Sequence, residues 1–249
     1  MDDSTLILGW AASLVAGLAT GLGALVILVQ NKFTDRSQDV MMGFAGGVML
    51  SAAGFSLMVP AVERGGHVLA TIGIAIGALV LHLLDRTVPH LHPQSGLEGK
   101  ASRLPKVWLM FLAMSIHNIP EGLAVGLGFG GDGLNTGMIT ATAIGIQNIP
   151  EGLVVALPFF VGGASKWRAI GLATLTGLIE PMASLPGLFL TAALPSVLPL
   201  GLAFAGGAML FVVSDEMIPE SHRKGFEREA TLGFVGGFLA MMLIEGMFT

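Results

Sequence analysis

The sequence contains no cysteine and few charged residues. The absence of cysteine excludes disulfide bonds and metal sites built from thiolates. Lys, Arg, Asp and Glu make up 12% of the 249 residues, whereas soluble domains carry about 25%. The net charge of −5 is modest, and the basic residues form no patch that would suggest nucleic-acid binding. The surface of such a chain cannot be mostly water-facing.

Hydrophobic residues instead make up 53% of the chain, and the mean hydropathy is +0.79. They form long runs, and roughly 20 apolar residues in a helix cross a hydrocarbon core about 30 Å thick. We therefore predict an all-α integral membrane protein with a single transmembrane domain, residues 1–249. The eight predicted transmembrane spans are about 6–29, 40–62, 67–85, 106–129, 136–160, 167–193, 197–219 and 230–248.

The basic residues predict how these spans are oriented. Eleven of the twelve Lys and Arg residues fall in loops on one side, and only Arg64 falls on the other. Because loops rich in Lys and Arg face the cytoplasm, we predict that both termini lie outside it. The N-terminal Met1-Asp2-Asp3 lacks the positive charge of a signal peptide, so we expect the first apolar run to be a retained helix.

The chain also repeats itself. Residues 45–50 read Ala-Gly-Gly-Val-Met-Leu, residues 205–210 read Ala-Gly-Gly-Ala-Met-Leu, and Pro60 and Pro219 follow at similar distances. The two copies run in opposite directions in the predicted topology. We therefore predict an inverted repeat, as in many secondary transporters, that relates spans 1–3 to spans 6–8 around a central pair, spans 4 and 5. Chance recurrence of small-residue motifs in Gly-rich helices is the alternative.

The strongest local signal is a doubled motif near the middle of two spans. Residues 117–122 read His-Asn-Ile-Pro-Glu-Gly, and residues 147–152 read Gln-Asn-Ile-Pro-Glu-Gly. At about 100° per residue, the first residue of each motif and its Glu lie on one helix face. Because the two spans are antiparallel neighbours, His117 should lie level with Glu151, and Glu121 with Gln147. Glu180 falls near the centre of the sixth span and adds a third carboxylate.

Charged groups at this depth need a partner. A charge at the centre of a bilayer costs about 2.5–3.5 kcal/mol on insertion scales, and a bound cation suits several carboxylates at once. Imidazole favours zinc, iron, nickel and copper, whereas carboxylate and carbonyl oxygens suit harder ions. The mixture therefore predicts a divalent transition metal. A polar cluster that only holds helices together is the alternative, and helix–helix hydrogen bonds are an alternative for Asn118 and Asn148 singly.

With these motifs, the later Glu180-Pro181 and eight predicted spans, the sequence resembles the ZIP (Zrt/Irt-like) metal transporter family, most closely its bacterial members. The resemblance implies a bacterial inner-membrane protein that imports zinc, and often iron, manganese or cadmium, toward the cytoplasm through a central two-metal site. The metals are transported ions, and no cofactor is expected. By matching position, the resemblance implies His117, Glu121, Gln147 and Glu151 for the first metal, and Asn118, Glu121, Asn148, Glu151 and Glu180 for the second. Many members carry His at the position of Gln147, and some carry Asp at that of Asn148.

Polar and sulfur-bearing residues outside the motif suggest a path to and from the site. Asp85, Asp215 and Glu216 are predicted at the cytoplasmic helix ends, where they form an exit relay or simply solvated helix ends. Met209 and Met49 are predicted to line the path, with packing in the core as the alternative. His90 and His92 are predicted to capture metal in the loop, and a chance spacing of the two is the alternative. The weaker candidates are His82 and His222 for the exit, and Glu63, His67, Asp132 and Glu245 on the outer side.

Two other functions are weighed against transport. An intramembrane zinc metalloenzyme would use His and Glu four residues apart, but the sequence lacks the His-Glu-x-x-His motif of such enzymes. A channel for protons or small cations would need the carboxylates but no imidazole. The expected partners are divalent metal ions and the lipid bilayer, and the Gly-rich helix faces permit a homodimer.

Overall fold

The computed structural model describes residues 3–29, 33–92, 96–99, 104–130 and 134–248, without the side chains of Leu91, His92, Gly96, Glu98 and Phe248. Apart from one short hairpin, the secondary structure of these ranges is helical. The α-helices are α1 (Asp3–Ala24), α2 (Val26–Val29), α3 (Asp35–Ser51), α4 (Val59–Thr87), α5 (Lys106–Gly130), α6 (Leu134–Val161), α7 (Lys166–Gly177), α8 (Ile179–Ala193), α9 (Leu198–Val212), α10 (Ile218–Ser221) and α11 (Glu227–Phe248). Strands β1 (His90–His92) and β2 (Gly96–Glu98) pair antiparallel in the loop before α5, and Pro195–Val197 forms a 3-10 turn.

Two π-helical segments extend helices α3 and α9. Ala52–Met58 joins α3 to α4, and Val213–Met217 joins α9 to α10. The segments begin two and three residues, respectively, after the repeated sequences at residues 45–50 and 205–210. A π-helix closes its hydrogen bonds over five residues instead of four. Side chains beyond the segment therefore point to a different side than a continuous α-helix would give.

The described ranges contain six helical stretches that are long and apolar enough to cross a membrane, in agreement with a multi-pass membrane protein. They are Asp3–Val29, Asp35–Thr87, Leu134–Val161, Lys166–Ala193, Pro195–Ser221 and Glu227–Met247. The second stretch covers two of the predicted spans, and helix α5 is not among the six. Eight spans therefore remain a prediction.

The 53-residue stretch is interrupted at Gly66. The backbone there has φ 77° and ψ 165°, which is not helical. Glycine adopts positive φ at little cost, because it has no Cβ. The interruption falls between the second and third predicted spans. A smaller break at Leu178 divides the sixth predicted span into α7 and α8, just before Glu180.

The long helices pack extensively in four pairs. Helix α3 packs against α11 and α4 against α9, while α1 packs against α6 and α5 against α8. Glycines allow backbones to touch in these pairs: a Cβ at Gly47 would overlap the backbone oxygen of Phe234 on α11, and one at Gly207 would overlap that of Ile74 on α4. Such close approach is typical of membrane helix packing.

Several helix ends that carry basic residues lie together at one end of the bundle, where polar contacts join them. Lys166 donates to the backbone oxygen of Leu28 at 3.2 Å, and Lys224 donates to Gln38 at 2.6 Å. Arg36 pairs with Glu229 at 3.3 Å. We call this end, formed by the start of α3, α5, α7 and α11, the basic end.

Candidate metal site

The seven residues of the predicted metal site are all buried, on three helices. Helix α5 carries three of them, α6 carries three, and α8 carries one. They are His117, Asn118, Glu121, Gln147, Asn148, Glu151 and Glu180.

Proline and glycine within the two motifs shape the helices around these side chains. Pro120 and Pro150 lie inside α5 and α6, and proline cannot donate to the carbonyl four residues earlier in the helix. The glycine after each motif Glu brings a neighbouring backbone very close. A Cβ at Gly122 would overlap the backbone oxygen of Glu180, and one at Gly152 would overlap that of Thr20 on α1. Helices α8 and α1 are thereby seated beside the two motifs.

The amide side chains of α6 hold two of the three carboxylates. The Gln147 Nε2 atom donates to Glu121 Oε1 across the α5–α6 interface. The Asn148 Nδ2 atom donates to Glu180 Oε1 at 2.7 Å and to the backbone oxygen of Ala16 at 2.8 Å. Asn148 is therefore a donor here, and it links α6 to both α8 and α1.

His117 is paired with an acidic residue from outside the motif. Its Nε2 atom contacts Glu216 Oε2, and the side chains are 6% and 8% exposed. Glu216 lies in the π-helical segment Val213–Met217. Sequence reasoning gave Glu216 only a role in the exit path and missed its contact with the motif, although its acidic type and its place after the repeated motif were visible signals.

Four buried oxygen atoms around the motif lack a hydrogen-bond partner among the described residues. Glu121 Oε2, Glu151 Oε2, Glu180 Oε2 and Gln147 Oε1 make no hydrogen bond within the described residues. Buried polar atoms are nearly always satisfied by protein, water or ions, because leaving them bare is costly. Three carboxylates and one amide thus keep oxygens with spare lone pairs in the buried site, and such oxygens are atoms of the type that binds cations.

The described side chains are not arranged as a closed metal cage. No group of three or more His, Asp or Glu residues within the described ranges converges on a point where it could hold a metal ion. Protein donors occupy one oxygen of Glu121 and one of Glu180. If the amides of Gln147 and Asn148 turned their nitrogens away, these two carboxylates would present both of their oxygens to an ion.

A cavity leads from the motif toward the basic end. His117 and Glu151 of the motif line it, together with Glu216 and Glu220. The cavity thus contains the His117–Glu216 pair and an oxygen of the motif.

The predicted path residues fall into distinct surroundings. His90 Nε2 pairs with Asp85 at 2.9 Å, and His90 Nδ1 lies 2.8 Å from the backbone oxygen of Val88. These contacts hold strand β1 against the end of helix α4. Met209 is buried in the core and Asp215 is exposed. The side chain of His92 and all of Asp132 lie outside the described residues.

The weaker candidates also separate. Met49 is buried, and the ring of His82 stacks edge-on against Phe211, with centroids 5.8 Å apart. His222 bonds within the basic end, to Ser221 and Thr231, and His67 is exposed. On the opposite side of the bundle, Ser56 donates to the buried Glu245, and a second pocket contains both residues together with Glu63.

Known proteins with similar sequences identify the family. Residues 93–245 match the family model described as ZIP zinc transporter. The chain is 46% identical to zinc transporter GufA of Myxococcus xanthus over 247 residues, which cover 95% of this chain and 97% of the relative. The chain belongs to the ZIP family. It is also 39% identical to zinc transporter ZIPB of Bordetella bronchiseptica, with 96% of this chain and 80% of the relative covered.

Membership of the ZIP family makes the chain a transporter rather than an enzyme, which confirms the expectation from the sequence. A third ZIP relative, zinc transporter ZupT of Chlorobaculum parvum, is 34% identical over 97% of this chain and 97% of its own length. All seven predicted site residues lie within the part that the ZIP family model matches.

Proposed function

We propose that this protein carries zinc, and other divalent transition-metal ions such as iron, manganese or cadmium, into the bacterial cytoplasm. The route runs through the buried site on α5, α6 and α8. The observation that carries this proposal is the group of buried, unpartnered oxygens beside the imidazole of His117. The zinc transporter names of the relatives supply the metal.

The site is proposed to hold two ions. His117, Glu121, Gln147 and Glu151 would ligate the first, and Asn118, Glu121, Asn148, Glu151 and Glu180 the second. Glu121 and Glu151 would be shared, because each is the carboxylate of its motif and each has an oxygen without a hydrogen-bond partner among the described residues. Asn118 and Asn148 are neutral, and the second position has no imidazole. It should therefore be the weaker one for zinc, which imidazole favours.

Eight spans within one transmembrane domain, residues 1–249, are proposed from helix lengths. At 1.5 Å per residue, a hydrocarbon core of about 30 Å takes roughly 20 residues, so the 53-residue stretch is far too long for one crossing. The non-helical Gly66 divides it into two spans. Helix α5 contains 25 residues, which is enough to cross.

The helix pairs support the inverted repeat. If spans 1–3 correspond to spans 6–8, the α3–α11 pair should be matched by α9–α4, and the α1–α6 pair by α8–α5; all four pairs occur. The glycine contacts match as well. Gly47 meets Phe234 and Gly207 meets Ile74, with the residue offset that relates Ala45 to Ala205. The π-helical segments lie in corresponding positions.

The basic end is proposed to face the cytoplasm of a bacterial inner membrane, which places both termini outside. A lipid bilayer would cover the apolar side chains exposed on α1, α4 and α11. A homodimer is proposed as well. A Cβ added at Gly236 or Gly246 on α11 would meet no other described part of the protein within 4 Å. Such glycines let a second copy approach closely.

The cavity at the basic end is proposed as the exit. An ion leaving His117 and Glu151 would meet Glu216 and Glu220 next. The Asp85–His90 pair lies at the basic end, and His92 and Met209 belong to the same proposed path, with Asp215 at its exposed edge. A cation channel is the alternative, and saturable uptake of a metal would separate the two.

The proposed function is tested by zinc uptake into proteoliposomes that enclose a zinc indicator, repeated across divalent ions and with an imposed pH gradient. We expect saturable zinc uptake by the wild-type protein. Current without saturable zinc flux would favour the channel instead.

The orientation gives a separate prediction that exploits the absence of native cysteine. In intact cells, Thr249→Cys should react with a membrane-impermeant maleimide, whereas Leu97→Cys in β2 should react only after lysis. Leu97 is half exposed, so burial in the protein would not protect it. Labelling of Leu97→Cys from outside would reverse the topology and the direction of transport.

The two ion positions should differ in their dependence on Glu180. We expect Glu180→Gln to lower bound zinc from about two ions toward one per chain while uptake persists, because the first position keeps His117 and both shared carboxylates. His117→Ala should impair uptake more, since an all-oxygen set favours harder ions. Elemental analysis of purified protein measures the count. Loss of all metal and all uptake in Glu180→Gln would contradict separable positions.

A further inference from the structure

Four methionines surround the cavity between the motif and the basic end. Met42 comes from α3, Met110 and Met114 come from α5, and Met217 comes from the π-helical segment after α9. The thioethers therefore reach one space from three separate elements. We call these four residues the methionine cluster.

The methionine cluster continues the helix face that carries the metal motif. Met110, Met114, His117 and Glu121 follow one another at steps of four, three and four residues on α5. Residues at such steps lie on one side of an α-helix. A line of ligand-type side chains therefore runs from near the start of α5 to the centre of the site, with sulfur first, then nitrogen, then oxygen.

Polar atoms are sparse on the rest of the wall. Apart from His117 and three glutamates, the cavity is lined by the cluster and by apolar side chains such as Val154, Val212 and Phe159. Glu151 is 7% exposed, and one of its oxygens lacks a hydrogen-bond partner within the described residues. An ion that leaves Glu151 on this side therefore meets thioethers as the most numerous neutral donors.

Methionine commonly fills irregular gaps in a core, and Met42 and Met217 are buried core residues, but all four also line the same cavity as His117 and Glu151. Thioether sulfur is a soft, weak donor that prefers soft metal ions and hardly binds hard ones. Cadmium is the softest of the divalent ions considered above.

We infer that the methionine cluster is a thioether binding station for soft divalent ions, and that it favours cadmium over zinc and manganese on the way out of the site. This inference rests on the proposed function. Zinc and manganese would pass along the nitrogen and oxygen donors of the same cavity, whereas cadmium would gain additional sulfur contacts.

The test replaces sulfur without changing volume. The quadruple variant Met42→Leu, Met110→Leu, Met114→Leu and Met217→Leu keeps similar apolar bulk, and such exchanges are well tolerated. The matched control is Met138→Leu, Met182→Leu and Met247→Leu, because these three side chains are exposed on the outside of the bundle. If the quadruple variant does not fold, the pair Met110→Leu and Met114→Leu is used.

Two measurements decide the inference. X-ray absorption of cadmium-loaded wild type should show sulfur neighbours that the control keeps and the quadruple variant loses. In proteoliposomes, the cadmium concentration that halves zinc uptake should rise roughly fivefold in the quadruple variant, with manganese competition unchanged, because thioethers select soft ions.

Equal cadmium competition in the quadruple variant and the control, or no sulfur around cadmium in the wild type, would overturn the inference. If the wild type takes up no zinc at all, the proposed function fails. The absorption spectra of purified protein then still decide whether the station exists.

Discussion

Glu121→Gln or Glu151→Gln should abolish zinc uptake while the protein still reaches the membrane. Each change removes one negative charge shared by both proposed ion positions, and no neighbouring residue replaces it. Loss of a single supporting contact to a metal ligand costs 10–100-fold in many proteins, so we expect loss of a shared ligand to reduce uptake by roughly 100-fold or more. Uptake into proteoliposomes at matched protein content measures the effect.

The matched control is Glu227→Gln, an exposed carboxylate at the start of α11 that removes the same charge far from the site. We expect it to transport like the wild type. Near-normal uptake by either motif variant would contradict the claim that the ion passes through this site.

Gly152→Ala should disrupt both stability and transport, although it adds only one methyl group. The added Cβ would overlap the backbone oxygen of Thr20, so α1 must move away from α6. Overpacking of this kind typically costs about 1–3 kcal/mol. The shift also moves Ala16, whose backbone oxygen accepts from Asn148, and it acts beside Glu151. We expect a lower thermal transition in detergent and several-fold slower uptake.

Gly171→Ala supplies the matched comparison for this prediction. Gly171 lies inside α7 and is exposed, and a Cβ added there would meet no other described part of the protein within 4 Å. Alanine favours a helix over glycine by about 1 kcal/mol, so this variant should be at least as stable as the wild type. If both variants behave alike, close approach of α1 does not support the site.

Local spacing in the sequence was enough to predict how α5 and α6 face each other. The motif repeats after thirty residues in a second, antiparallel helix, and that arrangement sets Gln147 beside Glu121, where the structure shows their hydrogen bond. The interruption between the second and third predicted spans was also visible, because Gly65-Gly66 follows the charged Glu63 and Arg64.

Local spacing in the sequence could not predict the contact between His117 and Glu216. Extrapolating a 3.6-residue period along α9 misplaces Glu216, since the π-helical segment changes the direction of its side chains. The pairing of Asp85 with His90 depends on the hairpin that follows α4. Ser56 and Glu245 are 189 residues apart, and only the packing of the whole bundle brings them together.

The amide partners of the carboxylates also needed the structure. The sequence suggested Asn148 as an oxygen ligand or a helix–helix bond, and in this arrangement its nitrogen bonds both Glu180 and the backbone of α1. Spacing cannot show which atom of an amide faces a carboxylate. The two roles are compatible, because release of Glu180 would free the amide to rotate.

The position of bound zinc tests the central claim most directly. Crystals of the wild-type protein grown with zinc should give anomalous difference density between α5 and α6, next to His117, Glu121 and Glu151. A second peak beside Glu180 should be weaker, because that position lacks the imidazole nitrogen that favours zinc. Zinc density confined to other parts of the molecule, with none at these residues, would contradict a metal site at the centre of the bundle.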